Sequence, residues 1–365
     1  MVTGNAIAIR QASKRLGHQT MRFETAPAVV ASASVVGLRE GQGPLGRYFE
    51  TILEDERYGE RCWEQAESRI LKEAVNTALG LAGWKEDELD ALISGDLLNQ
   101  ISASNFASRN TQMPFLGIFS ACATIAEGLL LAATLLEAGV AARVIAAASS
   151  HHEAAERQFR YPNEFGAQRP MTAQWTATAA GAIALGLPAD GGGGAGWGAA
   201  ADGSTGEAQL LPRITFATVG KVVEMGQKDP YDMGTAEVPA AWDTLLAHFR
   251  ETGRDPAYYD LILTGDLARI GSEIFREGMR RRGLDVSSRH MDCGVLLYRP
   301  EQDVHAGGSG AGCAASVLAS YILKEMRKGR FRRVLFVGTG SLHNPVSIQQ
   351  GEPIPTIAHA VAIEA

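Results

Sequence analysis

The sequence predicts an α/β protein built from two duplicated halves. Three observations carry this. Residues 90–97, DALISGDL, recur as DLILTGDL at 260–267, an offset of 170. The segment 115–150 reads strand, small-residue turn, helix, Arg, strand, and 304–341 reads the same way. Each half closes on a strand of small and apolar residues, ATAAGAIALGL (177–187) and TIAHAVAIEA (356–365).

The elements follow in order. EQAESRILKEAVNTALGLAGW (64–84) has apolar residues at helical spacing and a polar opposite face, and PAAWDTLLAHFRETG (239–253) is its counterpart. Each precedes one copy of the repeat, a short apolar strand ending in a small-polar-Gly-Asp turn. Strands alternating with helices predict mostly parallel sheets covered on both faces. The Gly-rich run DGGGGAGWGAAADGSTGEA (190–208) predicts a surface connection. The expected organisation is therefore a first half at 1–189, a connection at 190–210 and a second half at 211–365.

The 365 residues are enough for one or two large cores. A net charge of -7 and the lack of a long basic block argue against a nucleic-acid partner. Four cysteines, none in a CxxC pair, predict reduced thiols rather than a disulfide framework, and none has zinc-site spacing to histidine. No metal ligand set is assigned. The first twenty residues lack the apolar core of a secretory signal, and the longest apolar stretches are interrupted by Glu127 or Arg143. The expectation is a cytoplasmic or peripheral membrane protein, not secreted, with neither a spanning helix nor a lipid anchor.

Cys122 sits between an apolar run and a helix start in GIFSACATIAEG. A helix N-terminus lowers a thiol pKa, so a nucleophile is one expectation; a buried, inert cysteine is the other. Asp96 and Asp266 are the paired turn residues of the repeat. Asp96 is expected to stabilise its turn. GGSGAG (307–312) offers a second anion-friendly turn. Its spacing does not fit a dinucleotide site. His151, His152, Arg157, Arg160 and Arg169 are available cations, with loop packing or a dimer contact as the competing role. His290 with Asp292 reads as a packing pair.

A duplicated α/β chain with a cysteine at its first strand-to-helix turn resembles the thiolase fold, whose superfamily includes thiolases and ketoacyl synthases. GPLGRYFE (43–50), SGDLLNQ (94–100), FSACAT (119–124), AASSHHEAAERQFRYPNEFGAQRP (147–170), YDLILTGDL (259–267), DCG (292–294), VHAGGSGAGCAA (304–315) and SIQQGEPIPTIAHA (347–360) resemble the stage V sporulation protein AD family more closely. That resemblance implies a five-layered αβαβα fold. It further implies binding of dipicolinic acid (pyridine-2,6-dicarboxylate), with calcium as a possible companion. The implied role is uptake into the developing spore, as a homodimer working with other proteins of the uptake complex at the inner spore membrane. Condensing enzymes of the superfamily need activating partners on the second half. Asp266, Ala311 and Thr339-Gly340-Ser341 stand at those positions, which implies lost condensing chemistry. The expected ligand-binding residues are Cys122, Asp266, Ala311, Arg157, Arg160 and His151. The alternative is an active acyl-thioester condensing enzyme or acyltransferase using Cys122.

Overall fold

A computed structural model describes residues 14–159, 169–187 and 210–365. Its strands are β1 (Thr20–Arg22), β2 (Ala28–Val36), β3 (Thr51–Ile52), β4 (Ala91–Gly95), β5 (Phe115–Gly117), β6 (Arg143–Ser150), β7 (Trp175–Thr176), β8 (Ala179–Gly186), β9 (Arg213–Thr218), β10 (Leu261–Thr264), β11 (His290–Asp292), β12 (Gly308–Ser309), β13 (Arg333–Ser341) and β14 (Thr356–Glu364).

The main sheet runs β11-β10-β13-β14-β9-β2-β8-β6-β4-β5. Each half contributes five neighbouring strands with one internal plan. In the first, β5, β4 and β6 are parallel, then β8 and β2 alternate in direction. In the second, β11, β10 and β13 are parallel, then β14 and β9 alternate. Along the main path the halves meet at Ala28 with Arg213, flanked by Ile214 N–H to Pro27 O and Val29 N–H to Pro212 O. The short strand β1 adds three antiparallel pairs with β9, Thr20 with Thr218 to Arg22 with Phe216, and a parallel ribbon, β7 with β12, also crosses between the halves.

The sheet is thus evenly mixed, not mostly parallel as its strand-helix alternation predicts. The closing strands β8 and β14 run back antiparallel, which requires no crossover helix. Both are buried on both faces along most of their length. Small apolar residues follow from that burial and carry no sign of direction.

The duplication reaches single hydrogen bonds. Asp90 accepts from the amides of Ala142 and Arg143; Asp260 accepts from those of Arg332 and Arg333. The outer helices, Trp63–Ala82 and Met233–Thr252, keep the 170-residue offset. They end on Gly83 (φ 70°) and Gly253 (φ 71°), a left-handed cap that glycine adopts without steric cost. The second helix begins six residues before the predicted start. Pro239 lies inside it, although a proline there forgoes one helical hydrogen bond.

Three cores separate five layers. Ile70, Leu71 and Val75 pack the first outer helix on the β8 face that carries Ala180 and Ala182. Leu245 and Phe275 cover Leu335 and Val337 on the opposite outside. Between the five-strand groups of the two halves lie helix Thr124–Glu137 and the helix that starts at Ala311. There Ile125, Leu129, Val317 and Leu318 meet Ala146, Phe336 and Val361. No helix among the described residues is long and apolar enough to cross a membrane.

Candidate functional site

The site lies in the middle layer, where the two halves face each other. Cys122 occupies a one-turn 3-10 segment, Ala121–Ala123, leading into helix Thr124–Glu137. Ala121 takes φ 50°, which bends the chain sharply before the thiol. Thr124 locks the bend: its hydroxyl donates to Ala121 O (2.7 Å) and accepts from Ser120 N–H (3.1 Å). Strand β13 passes so close that a Cβ on Gly340 would lie 2.5 Å from Ser120 O and 2.9 Å from Ala123 N. Only glycine fits there.

The second half supplies the surroundings. Asp266 is buried and accepts three hydrogen bonds from side chains and backbone: Ser309 Oγ and Gly310 N–H (both 2.9 Å), and Thr339 Oγ1 (2.9 Å). Ser309 Oγ stands 3.9 Å from Cys122 Sγ. Glu237, also buried, accepts from Ser341 Oγ (2.9 Å). Cys122, Glu237 and Asp266 each place a ligand atom within 4.8 Å of the others.

This clustering decides the protonation. Burial, and then the charges of Asp266 and Glu237, push the Cys122 thiol well above its ordinary value. Burial and neighbouring Asp266 push the Glu237 carboxyl well up too. Burial also raises Asp266, against the hydrogen bonds it accepts. Of the two expectations for Cys122, this setting favours the buried, inert thiol, because the loss of water and then two acids oppose the helix end.

Beside the thiol opens a narrow pocket. Phe119, Phe159, Leu97 and Met233 give it apolar walls; Thr176, Ser309, Ser341 and His343 give it polar atoms. Phe159 and His343 stack, with ring centroids 5.2 Å apart.

The predicted residues divide. Cys122 and Asp266 come together as expected. Ala311 is fully buried at the start of its helix, but the side chain this loop sends to the thiol is Ser309. His151 does not line this pocket: it is fully buried, its Nε2 binds Glu56 O at 2.7 Å, and its ring packs on Trp63. Arg157 pairs with Glu64 and does not line the pocket. Both were drawn elsewhere by the acids and aromatics of the segment around residues 56–64. Arg160 lies outside the described residues. Arg169 pairs with Asp303 (3.0 Å) and sits 5.2 Å from the Trp175 ring. Asp96 holds its own turn, accepting from Leu98 N–H (2.9 Å) and Ser104 N–H (2.7 Å). Asp292 instead holds a neighbouring segment, accepting from Leu267 and Ala268 N–H, and shares Thr264 Oγ1 with His290. Both are structural, as their sequence setting suggests.

Glu237 is the residue that sequence reasoning missed. A helix starting at Pro239 leaves it in the preceding loop. The sequence does carry a signal: Ala66-Glu67 recurs as Ala236-Glu237 at the same offset of 170. Glu67 is likewise buried, beside Asp96, and bonded to a serine, Ser149 (3.0 Å).

A family model described as stage V sporulation protein AD matches residues 17–364. Stage V sporulation protein AD of Bacillus subtilis (strain 168) is 43% identical over 351 residues, spanning 96% of this chain and 98% of that protein. The chain belongs to the stage V sporulation protein AD family. Solved structures similar to this family member include two of OleA from Xanthomonas campestris. A histidine variant bound to cerulenin has a TM-score of 0.58 and 14% identity, covering 94% of this chain and 98% of that one. A glutamate variant also has a TM-score of 0.58 and 14% identity, covering 96% and 100%. At that identity they establish the thiolase-like fold alone. On this fold the family member places a thiol at the first half's strand-to-helix turn and ringed it with acids from the second.

Proposed function

We propose that the chain binds dipicolinic acid in the pocket beside Cys122, as a catalytically degenerate thiolase homologue that serves dipicolinate uptake into the developing spore. The observation that carries the reading is the state of the thiol. Its hydrogen-bond neighbours are a hydroxyl, Ser309, and a carboxylate, Asp266. A carboxylate opposes formation of the thiolate that acyl transfer needs. The pocket beside it supports the reading by its lining: aromatic and aliphatic walls for a planar ring, hydroxyls and an imidazole for its polar edge. Family membership supports the sporulation role.

The same reading includes partner proteins of the uptake complex, through which the chain reaches the inner spore membrane, and a homodimer. Strand β5 ends the sheet, with Leu116, Phe106 and Phe119 exposed around it, and offers the edge that a second copy would cover.

Titration of the purified protein with dipicolinate tests the proposal. Saturable binding is expected, weakened at least about tenfold by Cys122→Ala, which removes a lining group, or by Asp266→Asn, which disturbs the lining Ser309 that Asp266 holds. Unchanged affinity in both variants would remove the ligand from this pocket. The acyl-transfer alternative draws on the sharp Ala121 turn and the thiolase-like fold. It requires an acyl adduct on Cys122 after incubation with acyl thioesters, readable by intact mass.

A further inference from the structure

The cluster of Cys122, Glu237 and Asp266 carries a second assignment. All three residues are buried, and their ligand atoms lie within 4.8 Å of one another. Among the described residues, Glu237 Oε2 has no hydrogen-bond partner. Ionised, that oxygen is a buried acceptor without a donor; protonated, it must share its proton with Asp266. The ionised state costs free energy that a cation between the three groups would recover. Cys122, Ser309 and Ser341 open from the cluster onto the pocket, so one side remains accessible to a fourth ligand.

The donor set selects the ion. A thiolate with two carboxylates and an open position suits zinc-class cations. Calcium takes oxygen donors, and a sulfur in the set disfavours it. We propose that Cys122, Glu237 and Asp266 bind one divalent cation of the zinc class, with a coordination position open to the pocket. Binding replaces the S–H proton and the proton held by the carboxylate pair, which pass to solvent. The ion would turn an acid-floored pocket into one that receives a carboxylate.

The duplication provides an internal control. Glu67 and Asp96 repeat the acid pair in the first half, and Glu67 Oε2 is also without a partner. Cys122, Glu237 and Asp266 form the one such trio among the described residues. One ion per chain is therefore expected, not two.

The test uses full-length protein stripped with a chelator and titrated with Co2+, whose bond to a thiolate gives a near-ultraviolet charge-transfer band. One equivalent should produce the band, and Zn2+ should abolish it by displacement. A Cys62→Ser background should keep it. Cys122→Ser should lose it, and Glu237→Gln should weaken affinity by about tenfold or more. Melting curves in chelator establish that the variants fold. Should Cys122→Ser not fold, the Cys62→Ser and Glu237→Gln titrations still decide the matter. No band with wild-type protein, an unaltered band in Cys122→Ser, or wild-type affinity in Glu237→Gln overturns the assignment. The inference goes beyond dipicolinate binding, and the two fail separately: cobalt binding is scored without dipicolinate, and dipicolinate binding can be scored in chelator.

Discussion

At the residue scale, Cys122 differs from a nucleophile by its company. Burial, and then Asp266 and Glu237, raise its thiol well above the ordinary value. Cys293 and Cys313 are buried as well, and burial raises both. Cys62 alone among the four is partly exposed. Brief treatment of the folded protein with iodoacetamide near pH 8 should therefore label Cys62 and spare the other three, as read by peptide mass spectrometry. Fast labelling of Cys122 would contradict the protonated cluster. Cys122 and Asp266 could be singled out from the sequence because a turn after an apolar strand is a local pattern. Their protonation could not, because it depends on Glu237, more than a hundred residues from the thiol and brought to it by packing. The fate of Arg157 was hidden for the same reason: the sequence shows a cation, while Glu64 determines where it points.

At the scale of elements, the Cys122 turn and strand β13 are mutually fitted at Gly340. Gly340→Ala places a methyl against the backbone of Ser120 and Ala123, neither of which is a side chain that can swing aside. A loss of about 1–3 kcal/mol is expected in denaturant unfolding, with reduced dipicolinate affinity because the turn must move. The outer helix Met233–Thr252 presents a different test. His248 is buried between Thr218 Oγ1 (2.8 Å) and the Tyr259 hydroxyl (2.6 Å). Burial, and then Arg254, lower its pKa to about 3. The unfolded chain binds that proton near pH 6.5 and the folded one does not, so this contribution is complete above pH 6.5 and drains away as pH falls toward 3. Between pH 6.5 and 4 the wild type should lose about 3 kcal/mol more than His248→Gln, measured as the difference between their unfolding free energies. Helix and strand positions were largely readable, since periodicity is local. The start of this helix was not, because packing overrides the local preference of Pro239.

At the scale of the molecule, the middle core belongs to both halves. Ile125 and Leu129 from one meet Phe336 and Val361 from the other. Residues 1–189 expressed alone should therefore expose that face and bind a hydrophobic dye without acquiring near-ultraviolet dichroism. A well-ordered isolated half would contradict the shared core. The repeat at an offset of 170 makes the duplicated plan readable from sequence. Sheet direction was not readable, because buried strands of either sense carry the same small apolar residues.

The strand ladders of the two halves meet through few rungs, Ala28 with Arg213 and three more between β1 and β9. A ladder of many rungs fixes register; a short one shares that task with whatever fills the space between. Any occupant that touches Cys122 on one side and Ser309 and Ser341 on the other is then a tie-rod across the seam. By mass action, an occupant at a hundredfold excess over its dissociation constant adds about 2.7 kcal/mol to the cost of parting the halves. Occupancy would be recorded at a distance, as slower amide exchange of Val29 and Ile214, far along the chain from the thiol.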